Sequence, residues 1–291
     1  MSFSICIVLH NSAAELERLL DSIDTRLAER PQIICVDSGS NDDGAELAKR
    51  CGCEVIVMEG NPGFGAANNA ALALAREPVT VLLNPDCVLL DDGLERLVAL
   101  AAGQRALLAP RLLNDDGSLQ RSAHPLPAGR GDYFAALGLQ RLLPGRLRCR
   151  IEPYRSTGPV VVGWAIGACL AAQTNLLTLL GPFNDRDFLF SEDLDLCLRA
   201  RALAVPTLFD PSVTLVHSGA HTSADLPDRQ RAELQARRRR EVIEAQLGDD
   251  ALRRDDRTQA LTFRLRALLG RQRRQNLLML RSLRSAQNRS S

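Results

Sequence analysis

The first half of the chain alternates short apolar runs with amphipathic stretches at a regular beat. Ser4 to Leu9, Gln32 to Val36, Glu54 to Met58 and Val79 to Leu83 are five- or six-residue runs rich in Ile, Val, Leu and Cys, as buried strands require. Between them Ala13 to Leu27 sets Leu16, Leu19, Leu20, Ile23 and Leu27 on a helical period, and Gly44 to Arg50 and the alanine-rich Gly65 to Ala75 predict two more helices. Near-continuous apolar strands separated by helices predict an α/β architecture: a mostly parallel central sheet covered by helices on both faces.

After Leu83 the beat changes. Gly93 to Ala102 predicts a helix, Arg105 to Ala109 a strand, and Leu112 to Gln120 a hairpin around Asp116-Gly117. Ala123 to Tyr154, rich in Gly, Pro and Arg, has the composition of an irregular excursion or substrate loop. Val160 to Ala172 predicts two short strands interrupted by Gly163-Trp164-Ala165-Ile166-Gly167, Ser191 to Leu203 a helix, and Thr207 to Phe209 and Val213 to Val216 two strands. Everything beyond is helical, bounded by Gly248 and Gly270.

Composition narrows the class. The 291 residues are 45% apolar and 24% charged, enough for a sizeable core without disulfides or a structural metal. No run reaches the roughly 18 apolar residues of a spanning helix; Val160 to Ala172 is too short and holds two glycines. Met1 to Leu9 lacks the layout of a secretory signal, which makes the cytoplasm the expected compartment. The eight cysteines sit mostly in strand-like runs, and the Cys51/Cys53 spacing fits neither a zinc nor a redox pair, so they are expected to be buried, reduced thiols.

The polar exceptions fall where strands end. Asn11 follows the first strand, Asp37 ends the second, Asn61 follows the third, and Asn84 and Asp86 follow the fourth. In an open α/β sheet ligands bind outside these carboxyl ends. In Asn84-Pro85-Asp86 the first and third side chains share a face, so both can offer oxygen to one divalent cation. Glu192-Asp193-Leu194-Asp195 is the densest acidic cluster; Ser191 is positioned to cap the helix that starts there, and a carboxylate held rigidly at a cleft can serve as a general base. His217 ends a strand and, with His221, supplies two of the four histidines; imidazole is a common metal ligand.

Taken in order and spacing, Val8-Leu9-His10-Asn11, Val36-Asp37-Ser38-Gly39-Ser40, Asn61-Pro62-Gly63-Phe64-Gly65-Ala66-Ala67-Asn68-Asn69, Leu83-Asn84-Pro85-Asp86, Phe190-Ser191-Glu192-Asp193-Leu194-Asp195 and His217-Ser218-Gly219 resemble the inverting family 2 glycosyltransferases of the GT-A fold, in particular the rhamnosyltransferases of bacterial cell-envelope glycans. The resemblance covers about residues 3 to 222. It implies a GT-A domain over residues 1–224, with a nucleotide-sugar half to about 110 and an acceptor half over 111–224, followed by a helical extension over 225–291.

The resemblance also implies roles. Val8, His10, Asn11, Asp37, Ser38, Gly39, Asn61, Gly63, Phe64, Gly65, Asn68, Asn84, Pro85 and Asp86 would form the nucleotide-sugar site, with Asp37 on the base. Asp86 and His217 would bind a Mg²⁺ or Mn²⁺ ion that bridges the donor diphosphate. Asp193 would deprotonate the acceptor hydroxyl, Glu192 and Asp195 would orient acceptor or helix, and Trp164 and Gly167 would meet the acceptor. The donor would be a nucleoside-diphosphate sugar, with dTDP-rhamnose favoured, and the acceptor a glycan or polyprenyl-linked sugar. Asn84 stands where the family's usual D-x-D has its first Asp, leaving one carboxylate there.

Two other readings compete. Gly63-Phe64-Gly65 mimics part of a dinucleotide fingerprint, but it follows the third strand and its last position is Asn68. A catalytically inactive scaffold of the same fold at the membrane surface is the second. The extension carries 17 arginines against 9 acids from Asp225 onward, while the first 224 residues hold 19 basic and 26 acidic groups. Arg237 to Arg240, then arginines interleaved with leucines from Leu261 to Arg284, suit either helices on anionic lipid, making the enzyme peripheral on the inner face of the cell membrane, or helices packed on the body. With aromatics at 4%, little is available for base stacking, which argues against nucleic acid. A homodimer stays among the assemblies this reading admits.

Overall fold

In the computed structural model, which describes residues 1–181, 183–184, 189–219, 227–270 and 272–289, the four leading apolar runs are β1 (Ser4–Leu9), β2 (Gln32–Asp37), β3 (Glu54–Val57) and β4 (Val79–Leu83). The helices between and after them are α1 (Ala13–Arg26), α2 (Gly44–Arg50), α3 (Phe64–Leu74) and α4 (Gly93–Ala102). Successive side chains of a strand point to opposite faces. Ile5, Ile7 and Leu9 therefore join Leu16, Leu19, Ile23, Leu94 and Leu97 on one side of the sheet. Cys6 and Val8 join Ala67, Ala71, Leu176 and Leu196 on the other. Each fully buried Leu or Ile contributes about 1.5–3 kcal/mol, so two covered faces supply most of the driving force.

The remaining strands are β5 (Cys87–Leu89), β6 (Leu107–Leu113), β7 (Ala123–His124), β8 (Val160–Val162), β9 (Trp164–Ala165), β10 (Cys169–Gln173) and β11 (Thr207–His217). The main sheet runs β3-β2-β1-β4-β10-β6-β11-β5, with β8 also on β11, and β7 pairs β9 apart from it. The β1–β2, β2–β3, β1–β4 and β6–β11 pairs are parallel, while β10 lies antiparallel between β4 and β6. Strands β1 to β4, β6 and β11 thus share one direction, and the mostly parallel sheet with helices on both faces is the one the sequence predicts.

Several details differ from the sequence reading. Ala123 to Tyr154 is not irregular: it holds β7, α5 (Arg130–Ala136), α6 (Gly145–Ile151) and two tight single turns. Val160 to Ala172 makes three strands, since Gly163 lets the chain pass against the Pro125-Leu126 backbone. The two strands after residue 206 are one, β11, with an irregularity between Asp210 and Thr214 that the Pro211 position demands. Strand β5 and helix α7 (Thr174–Leu180) carry too few residues to announce themselves. All eight cysteines are unpaired, five of them buried, as expected. The hairpin around Asp116-Gly117 is present: Leu113 bridges Leu119, and the Gln120 N–H donates to the Leu112 carbonyl at 2.9 Å.

Helix α8 (Glu192–Ala202) precedes β11, and the C-terminal helices α9 (Asp228–Leu247), α10 (Asp249–Leu268) and α11 (Arg273–Arg289) follow that strand. Gly248 and Gly270 punctuate them with φ of 80° and 74°, as the sequence predicts. The three pack on one another, with α9 also against α8 and α10 against α5. Leu194 and Leu198 of α8 meet Val242, Ile243 and Leu252 in a shared apolar cluster. The arginine run is largely consumed here. Arg239 makes a two-pronged pair with Asp255 at 2.9 and 2.7 Å, Arg240 pairs with Asp256, and Arg238 with Glu241. Among the described residues no helix is long and apolar enough to cross a membrane. The 224/225 boundary of the extension falls outside the described residues.

Asp255 is nearly fully enclosed by its partners. Removing one member of a buried pair leaves an uncompensated charge and costs about 3–5 kcal/mol. Asp255→Ala is therefore expected to lower stability in equilibrium urea unfolding by that amount, with an unchanged midpoint as the contrary result.

Candidate active site

Parallel pairing brings the carboxyl ends of β1, β2 and β3 into line: Leu9 registers with Asp37, and Asp37 with Val57. The loops leaving these ends are knitted by side chains that the sequence singled out. Asp37 is buried and its Oδ1 accepts the Ser40 N–H at 3.2 Å. Asn11, at φ 50°, accepts the Asn41 N–H at 2.8 Å and donates its own N–H to Ser40 Oγ at 3.0 Å. His10 Nδ1–H donates to the Ser38 carbonyl at 2.9 Å. The Asn61 carboxamide oxygen accepts from Ser38 Oγ at 3.0 Å and from the Gly63 N–H at 3.1 Å. A Cβ on Gly39 would lie 2.7 Å from the Gly60 carbonyl, and at its φ of 70° a side chain would also strain the backbone.

Other predicted donor-site residues serve the scaffold. Val8 is in the core. Asn68 is buried and its Nδ2 donates to the Phe64 carbonyl at 3.0 Å. The room that Gly65 leaves is filled by Phe183 and Asn184, 3.0 Å from where a Cβ would be. Phe64 meets Phe183 edge to face at 5.5 Å.

Strand β5, invisible in the sequence, builds the second group. It pairs antiparallel with β11 so that Cys87 registers with His217, which places Asp86 beside the imidazole. Asp86 Oδ1 is 3.3 Å from His217 Nε2, and its Oδ2 accepts the Gly219 N–H at 2.8 Å. Burial tends to raise the Asp86 pKa, but His217 and the Gly219 amide outweigh it and hold the carboxyl below its ordinary range. His217 Nδ1–H donates to Gln120 Oε1 at 2.8 Å, and Gln120 Nε2 donates back to the His217 carbonyl at 3.1 Å. The hairpin residue Gln120 was not singled out in the sequence; only its place at the foot of a turn hinted at it.

With Nδ1 as donor to Gln120, loss of the Nε2 proton that Asp86 accepts would leave the Nε2 lone pair facing a carboxylate oxygen, with Asn84 Nδ2 3.4 Å away. Two electron-rich atoms at that spacing suit a cation between them, and one nitrogen with one carboxylate matches a Mn²⁺- or Mg²⁺-type donor set. Among the described residues no group of three or more His, Cys, Asp or Glu forms a metal cluster. His221 and Phe188 lie outside the described residues.

The third group is the acidic cluster. Asp193 is half-buried, its Oδ2 accepting the Gly167 N–H at 3.1 Å and its Oδ1 the Leu194 N–H at 2.7 Å. Burial raises its pKa despite these two bonds. Ser191 does not cap α8 through its side chain as predicted; it sits with Phe190 at φ of 65° and 76°, a left-handed pair that re-aims the chain just before the acids. Asp195 pairs with Arg199 at 2.7 Å and accepts from Gln246 at 2.9 Å, which ties α8 to α9. Trp164 stacks on His124 at 4.1 Å.

The groups meet through one crossing segment. Gly167 N–H holds Asp193, and the next residue, Ala168, accepts the Asn84 N–H at 2.9 Å. Asp86, His217 and Asp193 therefore flank Gly167-Ala168, with Phe64 3.8 Å from where a Gly167 Cβ would be.

Glu192 is buried with no hydrogen-bond partner at Oε1, and burial together with the Asp193 charge pushes its pKa up to about 7. A carboxyl whose folded pKa exceeds its unfolded value loses stability as pH rises from about 4.5 to about 7. Glu192→Gln is expected to stabilise the fold at pH 8 by on the order of 3 kcal/mol and to leave it unchanged at pH 4. Melting temperatures across that range check this; an equal shift at both pH values would contradict the buried acid.

Residues 4–155 match the model of glycosyl transferase family 2. The N-acetylglucosaminyl-diphospho-decaprenol L-rhamnosyltransferase of Mycobacterium tuberculosis is 26% identical over 243 residues, spanning 77% of this chain and 78% of that protein. Rhamnosyltransferase WbbL of Escherichia coli K12 is 25% identical over 228 residues, 75% of this chain and 83% of that one. The fold is similar to a Pyrobaculum calidifontis mannosyltransferase solved with GDP-mannose and Mn²⁺, at a TM-score of 0.58 and 14% identity over 97% of this chain and 73% of that chain.

Proposed function

The chain belongs to glycosyl transferase family 2, has the GT-A fold, and on that premise we propose that it moves rhamnose from dTDP-rhamnose, with inversion, onto a lipid-linked glycan acceptor. The observation that supports this reading is that Asp193 and the Asn84-Pro85-Asp86 turn, with His217 beside Asp86, are hydrogen-bonded to the adjacent residues Gly167 and Ala168. The similarity to two rhamnosyltransferases supports the choice of sugar and of acceptor class.

In this reading Asp37, His10, Asn11 and Asn61 receive the nucleoside at the ends of β1 to β3. Asp86 and His217 would hold a Mg²⁺ or Mn²⁺ ion, which when bound would supply positive charge for the departing diphosphate. Gln120 keeps the His217 tautomer in which Nε2 faces the site. Asp193, its orientation set by two backbone N–H groups and its basicity raised by burial, takes the proton from the acceptor hydroxyl. Attack from the Asp193 side and departure toward Asp86 form a single in-line displacement, which inverts the anomeric carbon. Residues 1–224 act as the transferase body and 225–291 as its extension.

A second element of the proposal is docking on anionic lipid at the cytoplasmic face. Phe134, Leu137, Leu142 and Leu147 are 46%, 53%, 80% and 46% exposed on the α5–α6 excursion. They are interleaved with exposed Arg141, Arg146 and Arg150, and no acid occurs between Asp132 and Glu152. At the α10–α11 corner Leu268 and Leu269 stand out beside exposed Arg264, Arg273 and Arg274. Contact of α5 with α10 makes the two patches neighbours. Apolar tips among guanidiniums fit a headgroup layer.

Asp193→Asn keeps an oxygen for the Gly167 N–H, so we expect transfer to fall by about 10²–10⁴-fold while calorimetric dTDP binding with Mn²⁺ holds. Equal loss of both would remove the base assignment, and binding without transfer in the wild type would favour an inactive scaffold. For docking, Leu142→Ser with Leu147→Ser should lower sedimentation with phosphatidylglycerol vesicles about tenfold, as loss of on the order of 1.4 kcal/mol of apolar burial predicts. Unchanged sedimentation would remove the lipid surface.

A further inference from the structure

A cavity of about 290 Å³ separates Asp193 from the C-terminal helices. Its core wall includes Asp193 and Trp164, and its opposite wall is formed by Gln235 of α9, Gln259 and Phe263 of α10, and Met279 of α11. These helices were read from sequence as a tether or a packed appendage, yet they close the space in front of the acid that would take the acceptor proton.

The walls have a defined chemistry. Trp164 and Phe263 offer aromatic faces, suited to the C–H face of a sugar ring. Gln235 and Gln259 offer carboxamides, each both donor and acceptor, suited to neighbouring hydroxyls. The volume equals about ten waters at ~30 Å³ each, the size of one pyranose with its substituents. A lipid chain alone would offer no hydrogen-bond partner to the two carboxamides. The two-pronged Arg239–Asp255 pair locks α9 to α10 in the same wall, which fixes the spacing of the two glutamines. An adjoining cavity shares Trp164, Gln259 and Phe263 and continues to Ala135 of α5 and Ile151 of α6, toward the exposed excursion.

Building on the glycosyl-transfer reading above, we propose that this cavity is the acceptor subsite: it holds the accepting sugar ring against Asp193, and Gln235, Gln259 and Phe263 of the C-terminal extension recognise it. The extension is then part of the specificity machinery, and the rest of the acceptor leaves along the adjoining cavity.

Trp164 is the only tryptophan in the chain, so its emission reports on the cavity. The probe is farnesyl-diphosphate-linked N-acetylglucosamine, titrated into the full-length protein without donor. We expect a saturable change in emission whose Kd weakens at least tenfold in Gln259→Ala and in Phe263→Ala, with melting temperatures close to that of the wild type. Farnesyl diphosphate without the sugar should leave the emission unchanged. The same Kd in both variants, or the same change with farnesyl diphosphate alone, would overturn the subsite. Wild-type protein that transfers sugar to the probe with no emission change overturns the cavity and leaves the function standing. Loss of both binding and transfer overturns the two together.

Discussion

Two hydrogen bonds on adjacent residues hold the candidate site together. The Gly167 N–H binds the Asp193 carboxylate, and the Ala168 carbonyl binds the Asn84 N–H. They exist because β10 enters the sheet antiparallel to β4, with Cys169 beside Leu83, at the point where β4 ends. A Cβ at position 167 would lie in ordinary contact with Asp193 and Phe64, at 3.5 and 3.8 Å, so the segment runs close beside both. The positions of Asp86 and Asp193 are coupled through backbone rather than through flexible side chains, which is how a site keeps reacting groups aligned.

Burial then sets the electrostatics. Asp86, Glu192 and Asp193 all lose water, yet they respond differently because their partners differ. Asp86 has an imidazole and a backbone amide to offset desolvation, and its pKa falls. Asp193 has two amides and still rises, and Glu192, with a like charge next to it, rises as well. Carboxyls pushed apart in this way can divide their tasks, one stabilising charge and another moving a proton.

The C-terminal helices tie into the same frame. Asp195 on α8 receives Gln246 of α9, and Arg239 and Arg240 spend their charge on Asp255 and Asp256. A sequence that looks like a basic tail is therefore neutral where it meets the body. At the α10–α11 corner Leu268 and Leu269 project into solvent.

The sequence by itself determined the alternating β and α elements, because apolar periodicity is a local property that burial must obey. Four leading strands, the first four helices and the glycine breaks of the extension were legible for that reason. So were the residues at strand ends, since the sheet sends each to one edge whatever the partners are. The order of strands beyond β4 was decided by tertiary structure alone, since β5 is three residues long and β10 reads like any apolar run. With it came the Asp86–His217 contact, the role of Gln120, and the wall that α9 to α11 raise before Asp193. These are contacts between segments about a hundred or more residues apart in several cases, and no local pattern of hydrophobicity encodes which of them will meet.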